Sequence, residues 1–134
     1  MDTSPVDFII HFGLITVDKC GKYSYVRIYC VGLDVVEARM LRQAYPNTLI
    51  RKYEVKTNPD YCWRWTSGGL TGLDQVVRDL RMSARMDFNF IECMWMYVWG
   101  KNRHRAEMGR RIRKMIGARP MEIKRILRKQ SKRP

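Results

Sequence analysis

From Val6 to Val17 the chain reads VDFIIHFGLITV, apolar on almost every side, with Pro5 just ahead as a helix start. A helix of that kind must be buried on more than one face. One face can lie on its own domain, and the other calls for something further. Gly13 in mid-helix permits close approach by a second helix; a glycine there costs about 1 kcal/mol relative to alanine, so it has a packing reason. A turn follows at Asp18-Lys19-Cys20-Gly21, and then YSYVRIYCV alternates as a strand. Val26, Ile28 and Cys30 fall on one face of it, with Tyr25, Arg27 and Tyr29 on the other. Gly32 ends the strand. Leu33 to Tyr45 is an amphipathic helix with Asp34 and Glu37 near its start and Pro46 as its stop.

Two β-rich runs, NTLIRKYEVKT and YCWRWTS, flank the turn signal Asn58-Pro59-Asp60. On the second run Trp63 and Trp65 share a face opposite Cys62, Arg64 and Thr66, and Gly68-Gly69 closes it. Leu70 to Leu80 is a short helix with Leu73, Val76, Val77 and Leu80 on one side. A long helix is predicted from near Met86, through IECMWMYVW, toward Arg105. Beyond it Met108, Ile112 and Met115 stand at helical spacing up to Gly117, and Pro120 opens a further helix over Met121, Ile123, Ile126 and Leu127. No internal repeat is visible. The pattern defines an α+β class, with helices on one face of a small antiparallel sheet.

Charge divides the chain in two. Of 26 Lys+Arg against 13 Asp+Glu, residues 1–100 hold 12 and 11, whereas residues 101–134 hold 14 and 2. A nearly neutral body, 1–100, therefore carries a basic helical extension, 101–134. The net +13 points to a polyanionic partner, because neutralising phosphates releases condensed counterions. Such an extension either grips phosphates or serves as a solubilising terminus; its apolar spacing favours the grip, with Lys101, Arg103, Arg105, Arg110 and Arg111 as the candidate contacts. Cys20, Cys30, Cys62 and Cys93 form no C-x-x-C pair and His11 and His104 stand apart from them, which disfavours zinc and suits buried thiols in a reducing compartment. Asp2 and Asp7 replace the basic start of a signal peptide, and Phe88–Trp99 is too short to span a bilayer. The expectation is a soluble, intracellular protein with no membrane partner. No G-x-G-x-x-G or G-K-[ST] loop supports a nucleotide-driven enzyme, and the nine methionines and four tryptophans are core filling.

Residues 11–19, HFGLITVDK, carry a more specific signal. Gly13-Leu14-Ile15, Val17 and Asp18 fall where the LAGLIDADG motif has G-L-I, a small apolar residue and its second aspartate; His11, Phe12, Thr16 and Lys19 depart from it. YVRIYCV before a helix ending at AYP, the run LIRKYEV…YCWRWTS, and GLDQVVRDLR with the helix after it continue the likeness. Over residues 6–100 the chain resembles one domain of the single-motif, homodimeric LAGLIDADG homing endonucleases, of pattern αββαββα with a shortened first hairpin.

The resemblance implies a sequence-specific DNA endonuclease making metal-dependent double-strand breaks as a homodimer. The motif helices meet at the dyad, which implies an interface through Phe12, Gly13 and Thr16. The aspartate ending each helix binds metal beside the scissile phosphate, a role that falls to Asp18. A carboxylate suits a hard cation such as Mg²⁺ or another divalent ion, and the metal activates water and stabilises the leaving oxygen. The sheet face opposite the helices is the family's DNA saddle; here alternation assigns it Tyr25, Arg27, Tyr29, Lys52, Lys56, Arg64 and Thr66, with Lys19 and Lys22 beside the turn. Arginine and lysine serve both phosphates and guanine edges.

Three departures weigh against cleavage. Only about six residues separate Asp18 from the strand at Tyr25, which clips the recognition hairpin. The family's assisting basic residue falls nearest Arg85, and an arginine cannot act as a base. Lys19 sets a cation beside the metal-binding carboxylate. The alternatives are a non-cleaving nucleic-acid binder of the same fold (an RNA maturase or a DNA-binding regulator) and an unrelated basic α+β protein of ribosome-associated or capsid type.

Overall fold

A computed structural model describes residues 4–54, 58–83, 88–117 and 119–126; Lys56, Arg85 and Leu127 lie outside them. The chain begins with α1, Pro5–Phe12, capped by the Ser4 hydroxyl accepting from the Asp7 amide at 3.2 Å. The helix stops at Gly13, whose amide bonds to the Ile9 carbonyl at 2.7 Å and whose backbone is extended. Strand β1, Leu14–Cys20, follows at once. The single helix expected over residues 6–17 is therefore a helix and a strand. Ile15, Thr16 and Val17 are β-branched and favour extended backbone. The all-round apolarity comes from Phe8, Ile9 and Ile10 buried from the helix and Ile15 and Val17 buried from one strand face.

A two-residue turn, with Gly21 at φ 61°, joins β1 to β2, Tyr23–Leu33, in antiparallel register from Leu14 opposite Tyr29 to Cys20 opposite Tyr23. The first hairpin thus has both of its strands, seven residues in β1 and eleven in β2. Helix α2, Val35–Ala44, starts on a reciprocal cap in which the Asp34 carboxylate accepts from the Glu37 amide and the Glu37 carboxylate accepts from the Asp34 amide. Strand β3, Leu49–Lys52, pairs with β4, Trp63–Thr66, and β4 pairs with β2. Cys30 and Leu33 face Trp65 and Trp63, so Gly32, at φ 65°, sits in a bulge of one extra residue. Helix α3, Leu70–Met82, completes the order αββαββα.

The long helix predicted from Met86 to Arg105 is broken at Gly100 into α4, Phe88–Trp99, and α5, Asn102–Ile116. Arg105 stabilises the break by donating to the carbonyls of Tyr97 at 3.1 Å and Gly100 at 2.8 Å, the free end of α4. Helix α5 packs across β1 and β2. Its Met108, Ile112 and Ile116 share one core with Ile15, Val26, Ile28 and Trp65; Met115, expected on that stripe, is exposed and Ile116 takes its place. Instead of opening a helix, Met121–Glu122 forms β5, antiparallel to β1, and helical backbone resumes at residues 123–126. The sheet order is β3-β4-β2-β1-β5. Among the described residues no helix is long and apolar enough to cross a membrane.

Trp65, fully buried in β4, donates to the Thr48 hydroxyl at 2.8 Å, and that hydroxyl donates to the Tyr45 carbonyl at 2.6 Å. Nearby, α3 presses on this chain segment at Gly72. A methyl group there would meet the Ser67 carbonyl at 2.0 Å and the Asn47 carbonyl at 2.6 Å, whereas one at Gly69 would meet nothing within 4 Å. Gly72→Ala is expected to lower unfolding free energy by about 3 kcal/mol in urea denaturation, through overpacking against backbone that cannot yield. Gly69→Ala should leave the midpoint nearly unchanged, and equal midpoints for the two variants would contradict this packing.

Candidate nucleic-acid interface

Pairing of Ile50 with Trp65 and of Ile15 with Ile28 fixes which side of each strand meets the core. The opposite, outer face then carries Tyr25, Arg27 and Tyr29 from β2, Arg64 and Thr66 from β4, and Thr16 and Asp18 from β1. These are the β2 and β4 residues predicted from alternation. Lys52 is a correction: it pairs with Trp63, in phase with Ile50, so it belongs to the core side at an exposed rim. Arg51, opposite Arg64, takes its place on the outer face. Phasing β3 from Ile50, its one aliphatic residue that can lie beside Trp65, would have found Arg51.

Asp18 was expected to end the motif helix. It lies instead in the middle of the hairpin, six residues past the end of α1, and its carboxylate accepts from the Arg27 guanidinium of the neighbouring strand. The end of α1 holds His11, Phe12 and Gly13, with no carboxylate. Gly13 is buried by its own chain: an added methyl group would meet the Ile9 carbonyl at 2.4 Å and the Ile123 side chain at 2.8 Å. Of the three residues assigned to a dyad, Gly13 and Thr16 are buried within the chain and Phe12 is 61% exposed. A divalent cation needs several oxygen ligands. Among the described residues no three His, Cys, Asp or Glu side chains stand together, and the one carboxylate matched to the motif is held by an arginine.

Lys19 points away from Asp18, since neighbouring residues of a strand face opposite sides. It meets α5, beside Arg110. Of the other basic candidates, Lys22 lies 5.5 Å from the Tyr23 ring at the hairpin tip, Arg111 pairs with Glu107 at 3.0 Å, and Arg105 is bound to α4 carbonyls. Lys101 and Arg103 are exposed on the first turn of α5.

A trough runs along the outer face because β4 stops at Thr66 while β2 continues to Tyr23. One cavity of about 460 Å³ is lined by Arg27, Arg51, Arg64, Thr66, Gly68 and Gly69, among others. A second, also about 460 Å³, shares Arg27, Gly68 and Gly69 and adds Asp18, Tyr25, Leu70 and Tyr97. A third, about 220 Å³, shares Tyr25, Leu70 and Tyr97 and reaches Asn102 and Arg105. Arg64 lies 4.9 Å from the Tyr29 ring, a cation–π contact that holds its guanidinium along the sheet. Its Nε is closed off from solvent with no hydrogen-bond partner among the described residues. The β2 edge along the trough is satisfied by two side chains. Ile28 bonds to Ser67 through both backbone groups, and the Tyr97 hydroxyl accepts from the Val26 amide at 3.2 Å and donates to the Ser24 carbonyl at 3.1 Å. Burial raises the Tyr97 pKa above the ordinary tyrosine value, which keeps that donor protonated.

No protein-family model, curated protein or solved structure matches this chain. The likeness to LAGLIDADG proteins therefore stands on the residues and the element order alone.

Burial, with a smaller contribution from Glu37, pushes the Cys30 thiol from 9.0 up to about 12. At pH 8 about one thiol in ten thousand is then ionised, and the thiolate is the reactive form. Cys30 should resist iodoacetamide in the folded protein and label fully in urea, as read by peptide mass analysis. Because the folded pKa is raised, the associated stability is present below pH 9 and lost as pH climbs from about 9 toward 12. Labelling of Cys30 faster than global unfolding would contradict its burial.

Proposed function

We propose that this chain binds nucleic acid, gripping phosphates through the outer face of its sheet without cutting the strand. The observation that carries the proposal is the convergence of Arg27, Arg51 and Arg64 on one solvent-facing trough beside Tyr25, Tyr29 and Thr66. Asp18, a carboxylate that lines this trough, is already paired with Arg27. Planar guanidinium groups suit phosphate oxygens and guanine edges, and the tyrosine rings offer faces for stacking. The net charge of +13 adds a long-range attraction for a polyanion. Double-stranded DNA is the first partner to test, with structured RNA as the alternative.

A second proposal keeps metal-dependent cleavage by a homodimer. The order αββαββα favours it, since that is the pattern of the family the sequence resembles. It requires Asp18 to leave Arg27 and two copies to bring their carboxylates together.

Fluorescence anisotropy with a randomised duplex and a hairpin RNA, across salt concentrations and with Mg²⁺ present, separates the two. Arg51→Ala and Arg64→Ala should each weaken binding about tenfold and lower the salt slope by about one. Asp18→Asn should preserve the fold, because an exposed ion pair contributes at most about 1 kcal/mol, and should bind at least as tightly as the parent. Neither form should break DNA. Mg²⁺-dependent breaks that vanish in Asp18→Asn would establish the second proposal, and unaltered affinity and salt slope in both arginine variants would defeat the first.

A further inference from the structure

The opposite side of the β1–β2 hairpin holds a second concentration of cations. Gly109 lets α5 cross directly over the hairpin: a methyl group there would lie 3.0 Å from Ser24 Cβ and 3.1 Å from its carbonyl. Ser24 pairs with Lys19. From the next residue of α5 onward, Arg110, Arg113 and Lys114 follow at the i, i+3, i+4 spacing that shares one helix side. Together with Lys19 and Gly117 they line a cavity of about 360 Å³. Among the described residues its lining contains four cations and no carboxylate. None of these four side chains takes part in an ion pair among the described residues, although Arg111 beside them is paired with Glu107 and Arg125 with Glu122.

Two costs are left uncompensated. Like charges from β1 and α5, more than ninety residues apart, are held against one cavity. In addition, Arg113 Nη1 is closed off from solvent and has no hydrogen-bond partner among the described residues, and a desolvated cationic donor without an acceptor is a substantial penalty. An anion in the cavity would relieve both. A polar donor set of arginine and lysine without carboxylates matches phosphoryl oxygens, and four charges match a group carrying more than the single charge of an internucleotide phosphate.

We infer that Lys19, Arg110, Arg113 and Lys114 form a binding site for a multiply charged phosphoryl group, as a terminal phosphate chain of a nucleic acid or as a free polyphosphate. The site uses none of the outer-face arginines and does not rest on their assignment. The probe is inorganic tripolyphosphate, titrated calorimetrically into the full chain. Lys19→Ala and Arg113→Ala should each lower its affinity at least tenfold. Arg42→Ala, an exposed cation of α2, and Arg111→Ala, which removes a neighbouring charge outside the cavity, should leave it within about twofold. The two sources are separated by one RNA oligonucleotide carrying either a 5′-triphosphate or a 5′-hydroxyl. A gain from the triphosphate that is lost in Arg113→Ala assigns the site to a nucleic-acid end. Tripolyphosphate binding without that gain assigns it to a free polyphosphate. Absence of tripolyphosphate binding by the parent chain, or equal loss in Arg111→Ala and Arg113→Ala, overturns the site. Failure here leaves the Arg51 and Arg64 binding measurements intact, and their failure leaves this one intact.

Discussion

Buried backbone groups must find hydrogen-bond partners, and the unequal lengths of β2 and β4 make this demand acute. Strand β2 runs eleven residues and β4 only four. A partner strand is therefore missing along Ser24–Ile28, in the middle of the sheet. Ser67 and the Tyr97 hydroxyl substitute for it. Tyr97 is itself fixed because its carbonyl, at the end of α4, accepts from Arg105 of α5. One unpaired stretch of strand thus ties together the sheet, the turn at Gly68-Gly69 and the last two helices. The trough on the outer face is the space that the missing strand would have filled.

How much of this was legible from the chain varies with the range of the interaction. Helix α2 could be read from Asp34, Glu37 and Pro46, and β2 from its alternation, because each signal is local. The join at Gly13 could not be read in the same way. From Phe8 to Val17 nearly every position is apolar, and a run without period fits a buried helix and a buried strand alike; only the β-branched Ile15-Thr16-Val17 hinted at the change. Met86 to Arg105 hid a helix break for a different reason, since Arg105 caps α4 through space and its charge suggested a phosphate contact instead. The Arg27 and Arg64 faces were correctly read. Alternation selects Lys52 on β3, whereas the pairing with β4 sets Arg51 opposite Arg64. The Lys19–α5 cavity joins residues at opposite ends of the chain, and no local pattern announces such a meeting.

Asp18 stands among different neighbours on a strand from those that the end of a helix would give it. Metal binding depends on lone pairs that are free and on neighbours that can share the ion. On β1 this carboxylate faces Arg27, while Lys19 next to it projects to the other side of the sheet. The hairpin thus sorts its charges by face: an arginine-neutralised acid outside, an unneutralised lysine against α5. A strand at this position separates what a helix end would have gathered.

The two-residue strand β5 has a consequence out of proportion to its size. It lies against Leu14 and Ile15, on the border of the sheet, and the Ile123 amide donates to the Gly13 carbonyl at 3.1 Å. Without it, the start of β1 would be an open, apolar border able to recruit the same segment of another molecule. The last described residues thus cover the start of β1, and removing them would expose the backbone groups of Leu14 and Ile15 at that border.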